Sequence, residues 1–204
     1  MFEIIAVTNR LACTDAFSSR IETLSACGIS ALILREKDLS ADEYETLARQ
    51  VYEVCARRGV KFIAHGFATA AARIGCGAVH LPLPVFISQA RDALRGLAVG
   101  VSVHSVEEAR QAASRGAAYL VAGHVFQTSS KEGLPPRGLG FLHEICQAVS
   151  LPVYAIGGIS EHTIKAVRET GAAGACLMSP FMHHADPASY TAELKKAAFG
   201  AEKD

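Results

Sequence analysis

The chain has 204 residues with 20 basic and 20 acidic side chains; half of it is apolar and a fifth is charged. That length suits one domain, and that composition fills a core and argues against long disorder. Zero formal charge excludes an electrostatic field that would hold nucleic acid or an anionic membrane, and no apolar run reaches the ~18 residues of a membrane span.

The start, Met-Phe-Glu-Ile-Ile-Ala-Val, has neither the basic segment nor the cleavage pattern of a secretory leader, so a cytoplasmic protein is expected. Taken in chain order, short β-branched or apolar runs alternate with longer amphipathic stretches. Glu3–Thr8 reads as the first strand, and the helix after it stops at Gly28 before a second strand, Ala31–Arg35. Ala41 to Arg57 places Tyr44, Leu47, Ala48, Val51 and Val54 on one helical face, behind a capping box of Ser40 and Glu43, and Gly59 ends it. Strands follow at Lys61–Ala64, Ala78–Leu81 and Leu97–Ser102. Ser105 and Glu108 open a further helix that Gly116 stops; Tyr119–Gly123 and Val153–Ile156 are the next strands. Gly171 ends the helix before the last strand, Ala175–Met178.

Eight strands at about 25 residues per unit predict a single (β/α)8 TIM barrel spanning residues 1–204. A doubly wound sheet is the competitor, but it would offer a glycine fingerprint after its first strand, where this chain reads Thr8-Asn9-Arg10-Leu11. The six cysteines (13, 27, 55, 76, 146 and 176) form no Cys-x-x-Cys pair and are expected to be free, small hydrophobes rather than zinc ligands. The longest polar connection runs from Gln127 to Gly138, the size of a functional loop.

Barrel active sites lie at the carboxyl ends of the strands. Gly157-Gly158 after strand seven and Met178-Ser179 after strand eight repeat the pattern of a phosphate site, against the plainer reading of tight turns. The last two turns are expected to open helices directly. Arg35 and Lys37 alternate at the end of strand two and suit a second anionic group. Of eight histidines, His143, His162, His183 and His184 read as surface residues and His80 as a hydrogen-bonded core residue. His65, His104 and His124 remain, and His124 combines an apolar strand behind it with the long loop ahead.

From Ile5 to Ser179 the chain resembles the thiamin phosphate synthase superfamily, through Val7-Thr8-Asn9, Leu34-Arg35-Glu36-Lys37, Val79-His80-Leu81, Gly100 to His104, Gly123 to Thr128 with Lys131, and Ala155 to Ile159. The resemblance implies a cofactor-sparing barrel of thiamin biosynthesis. In that family two aspartates, at the end of strand three and after strand four, hold the magnesium of a pyrophosphate substrate. Here those positions read His65-Gly66 and Pro82-Leu83-Pro84-Val85, so no metal is expected. Gly-His-Val-Phe at residues 123–126 resembles the thiazole tautomerase (TenI) branch, in which the histidine is the acid/base.

The resemblance therefore implies an isomerase without cofactor that converts a thiazole carboxylate phosphate to its aromatic tautomer. His124 would move the proton, Arg35 and Lys37 would take the carboxylate, and Gly157, Gly158, Met178 and Ser179 the phosphate. Ser102, Thr128 and Lys131 are expected to orient substrate or close the loop. The alternatives are a thiamin phosphate synthase and an inactive regulatory homologue that binds a thiazole phosphate. The partner is a small molecule, not nucleic acid or membrane; a homo-oligomer is left open.

Overall fold

A computed structural model describes residues 2–200. Eight parallel strands close in sequence order: β1 (Glu3–Val7), β2 (Ala31–Leu34), β3 (Lys61–His65), β4 (Ala78–Pro82), β5 (Ala98–Val103), β6 (Tyr119–Gly123), β7 (Val153–Ile156) and β8 (Gly174–Leu177). The expected barrel is the observed one. Around it lie α1 (Phe17–Ala26), α2 (Ala41–Arg58), α3 (Ala68–Ile74), α4 (Leu83–Ser88), α5 (Val106–Ser114), α6 (Gly138–Ala148), α7 (Ile164–Glu169), α8 (Ser179–His183) and α9 (Pro187–Phe199).

The strands read as unbroken apolar runs because both of their faces are covered. Ile4, Ala6, Leu32 and Leu34 pack outward against the helices, while Ile5, Val7, Ala31, Ile33, Ile63, Val121 and Cys176 fill the barrel interior. Ser40 and Glu43 form the reciprocal capping box of α2, and Gly59 closes that helix in the left-handed conformation. Ser105 likewise accepts the Glu108 N–H at the start of α5.

Most strand ends shift by one residue from the sequence expectation, and one helix starts later. The β2 ladder ends at Leu34, so Arg35 lies just beyond it, and β8 ends at Leu177, before Met178. After β7 the chain makes a turn through Ser160–Thr163, where the Ser160 carbonyl accepts the N–H groups of Thr163 and Ile164, and α7 starts only at Ile164. Gly157-Gly158 therefore does not open a helix. None of the helices among the described residues is long and apolar enough to cross a membrane.

Candidate active site

The period of two that fills the barrel runs on past the strand ends. Inward residues Ala31 and Ile33 of β2 are followed at the same spacing by Arg35 and Lys37, both of which line a cavity at the barrel mouth. Glu36 turns the other way and is buried, 2% exposed. The same count places His65 after Ile63, Ser102 on β5 with His104 just beyond its end, and Met178 after Cys176 in that cavity.

The cavity holds about 620 Å³, a volume suited to a small molecule. All the residues singled out from the sequence line it: Arg35, Lys37, Ser102, His124, Thr128, Lys131, Gly157, Gly158, Met178 and Ser179. His65, His80 and His104 join them. A larger groove between α1 and α2, about 900 Å³, lies outside the barrel and contains neither a histidine nor a glycine turn.

Charge in the mouth is one-sided. Burial lowers the Arg35 pKa, and the Lys37 pKa is lowered first by the charge of Arg35, then by burial and by Lys131. Lys131 sits on the loop leaving β6, and β6 stands four strands from β2 around the barrel. The loop thus reaches across the mouth to bring its lysine into the same cavity as Arg35 and within influence of Lys37. Among the described residues, no aspartate or glutamate lines the cavity to offset them. Such a cluster suits an anionic ligand.

The loops that position these groups are tied together by residues whose roles the sequence did not reveal. Thr8 Oγ1 donates to Glu36 at 2.5 Å, and both Glu36 oxygens accept the Arg10 N–H. Thr8 Oγ1 in turn accepts the Arg35 N–H at 3.0 Å. Burial pushes the Glu36 carboxyl up, against the pull of Thr8 and Arg10. Tyr44, expected only as an apolar face of α2, joins two strand ends: its hydroxyl donates to the Leu34 carbonyl at 2.7 Å and accepts the His65 N–H at 2.8 Å.

His124 Nε2 lies 3.3 Å from the Leu134 carbonyl of the long loop. A carbonyl can only accept, so Nε2 carries a proton, and it is Nδ1 that the contact leaves open. That loop is bonded back to its own root, with Arg137 N–H on the His124 carbonyl and Gly138 N–H on that of Val125. Behind His124, Gly157 and Gly158 take positive φ values of 100° and 66°. A Cβ on Gly157 would stand 2.4 Å from His124 Cβ, and one on Gly158 2.4 Å from the Gln127 carbonyl oxygen, so close packing as well as the turn requires glycine. The N–H groups of Gly158 and Ser179 make no hydrogen bond among the described residues, which leaves two donors open to the mouth.

Residues 4–181 match the family model described as thiamine monophosphate synthase. The chain belongs to the thiamine monophosphate synthase (TMP-TENI) family. It is 34% identical over 196 residues to "Thiamine-phosphate synthase 2" of Streptococcus pneumoniae serotype 4, covering 93% of this chain and 92% of that one. It is also 34% identical to "Thiamine-phosphate synthase" of Pyrococcus abyssi, covering 83% and 82% of the two chains. Among solved structures, thiamine phosphate pyrophosphorylase from Pyrococcus furiosus superposes with a TM-score of 0.85 at 26% identity, over 97% of this chain and 96% of that one. These relatives are enzymes of thiamin biosynthesis, and this family member shares their barrel.

The magnesium that the resemblance brings with a synthase can be tested against the donor set. Mg²⁺ is held by carboxylate and phosphate oxygens. The positions that would supply the carboxylates carry His65-Gly66 and Pro82–Val85, and the acid between the mouth cations, Glu36, is spent on Thr8 and Arg10. No cluster of three potential metal ligands occurs among the described residues. The residues present do not fit a magnesium ion.

Proposed function

We propose that this protein is a thiazole tautomerase, converting a non-aromatic (ylidene) thiazole carboxylate phosphate to the aromatic thiazole carboxylate phosphate without cofactor. The observation that carries this reading is a mouth lined by Arg35, Lys37, Lys131 and histidines, with no carboxylate among the described lining residues. That set suits a substrate with two anionic groups and a reaction that needs only proton transfer.

The substrate phosphate sits against the N–H groups of the Gly157-Gly158 turn and Ser179, with Met178 beside it. Its carboxylate pairs with Arg35 and Lys37, and neutralising that charge makes the adjacent ring C–H more acidic. Nδ1 of neutral His124 takes the ring proton, and the resulting imidazolium returns a proton to the exocyclic carbon. Aromatisation makes the overall step downhill, so positioning and one proton-transfer group suffice. Thr128 and Lys131, carried by the loop, close over the substrate, and Ser102 orients it. Binding is to a small molecule, not to nucleic acid or a membrane, and a cytoplasmic location fits such a substrate.

The names of the relatives favour a second reading, thiamin phosphate synthesis. One experiment separates the two. The pure protein in EDTA is incubated with the ylidene substrate while aromatic absorbance is followed, and a parallel sample receives pyrimidine pyrophosphate, thiazole phosphate and Mg²⁺. Rapid aromatisation in EDTA with no thiamin phosphate in the second sample is expected. Robust Mg²⁺-dependent thiamin phosphate formation without tautomerisation overturns the proposal.

A further inference from the structure

Strand register puts four inward positions in one row: His65 pairs with His80, His80 with Gly100, and Gly100 with Tyr119. Gly100 supplies no side chain, and a Cβ there would fall 2.0 Å from Tyr119 Cζ. The tyrosine ring therefore occupies the space over Gly100, and its hydroxyl reaches His80 Nδ1 at 3.3 Å. The other ring nitrogen, Nε2, lies 2.8 Å from Ser102 Oγ. His80 and Tyr119 are 3% and 6% exposed, while Ser102 lines the mouth.

Two proton arrangements fit these distances, and accounting for the donors decides between them. If His80 donated from Nδ1, the Tyr119 O–H would have no acceptor, because among the described residues its hydroxyl meets only His80. A buried hydroxyl without an acceptor is costly. If Tyr119 donates to Nδ1, His80 must donate from Nε2 to Ser102 Oγ. The Ser102 hydrogen then has no acceptor among the described residues and is turned to the cavity, where a ligand can take it.

We propose that Tyr119 and His80 form a one-way hydrogen-bond relay that fixes His80 as the neutral Nε2–H tautomer and makes Ser102 a directed donor to an acceptor atom of the bound substrate. His80, nearly buried in the cavity wall, and Tyr119, behind it, are positioning residues that act through Ser102. Burial, reinforced by His65, pushes the His80 pKa down to about 3, so the relay keeps its direction across the working pH range. Naming the acceptor as part of a thiazole carboxylate phosphate rests on the tautomerase reading, whereas the direction of the relay does not.

The direct test is long-range ¹H–¹⁵N correlation on the whole protein with ¹⁵N-labelled histidine, the His80 signals being assigned from their loss in His80→Gln. The Nε2–H pattern is expected, unchanged from about pH 8 to 5. An Nδ1–H pattern, or titration near the ordinary histidine value, overturns the relay. Calorimetry with the aromatic thiazole carboxylate phosphate supplies a second readout. Ser102→Ala and Tyr119→Phe are each expected to weaken binding about tenfold, the worth of one hydrogen bond, and their combination to weaken it no further. Additive losses would show that Tyr119 acts through packing instead and overturn the relay. Failure of the unmodified protein to bind that probe would count against the tautomerase reading, and the tautomer measurement would still decide the relay.

Discussion

The backbone N–H of Arg10 is held by both carboxylate oxygens of Glu36, at 3.1 and 3.0 Å. One buried side chain thereby locks the segment after β1 to the segment after β2, and it frees Arg35 and Lys37, on either side of it, to face the mouth. The arrangement explains why an acid stands between two cations of the mouth: it points away from the cavity and organises the backbone behind it.

Burial raises the Glu36 pKa, and the sign of that shift gives a pH-dependent prediction. A raised carboxyl favours folding below its unfolded value, and that advantage is lost as pH rises through the folded value. Glu36→Gln keeps one acceptor and carries no charge. In urea unfolding series, the stability of the Gln variant relative to the native protein is therefore expected to improve as pH rises above the ordinary carboxylate range. Glu36→Ala, which orphans the Thr8 and Arg10 donors, should lose roughly 1–3 kcal/mol at pH 7. A Gln variant that loses ground as pH rises would contradict this account.

His124 is tested by its chemistry rather than its fold. His124→Gln can keep a contact to the Leu134 carbonyl but cannot accept and return a proton. Turnover of the ylidene substrate is expected to drop by about 10²–10⁴-fold with product affinity nearly intact. Near-native turnover in the Gln variant would shift the proton transfer to His65 or His104.

The two inner histidines should govern acid stability. His65 is held down to about 4, by burial first and then by Arg35 and Lys37, and His80 to about 3. Unfolded, both would take a proton near pH 6.5. The native state refuses it, so each histidine costs stability progressively as pH falls from the unfolded value toward the folded one, at up to about 1.4 kcal/mol per pH unit. His65→Asn should flatten the decline measured by chemical denaturation between about pH 6.5 and 4.5. An unchanged slope would show that His65 is protonated in the native protein.

Gly158 offers a geometric test. Its φ is 66°, and a Cβ added there would lie 2.4 Å from the Gln127 carbonyl oxygen, so alanine must displace the loop after β6. Gly158→Ala is expected to raise KM for the phosphate substrate at least tenfold, as read by steady-state kinetics. A variant with native KM would remove this turn from phosphate binding.

Much of this was legible in the sequence because it is local. Period-two apolar runs, glycine stops and capping boxes act over a few residues, and counting inward positions past Ile33 reaches Arg35 and Lys37. What stayed hidden depends on register between distant segments. Glu36 finds Thr8 and Arg10 at separations of 28 and 26 residues along the chain. Tyr44 fits an amphipathic helix equally well with or without its hydroxyl, and only the placement of α2 over β2 and β3 gives that oxygen two partners. Gly100 did leave a trace: a glycine between Val99 and Val101 marks a strand position over which a large neighbour lies. The delayed start of α7 left none, because Ser160 and Thr163 serve a turn as readily as a helix start.

A Cβ on Gly157 would meet His124 Cβ at 2.4 Å, so the glycine turn at the mouth and the mount of the histidine are two faces of one wall. Natural drift cannot easily retune one of them alone. A descendant of this barrel that came to accept a bulkier group at this turn would have to re-aim the histidine in the same step, whereas Arg35 and Lys37, carried by the segment after β2, could change one residue at a time.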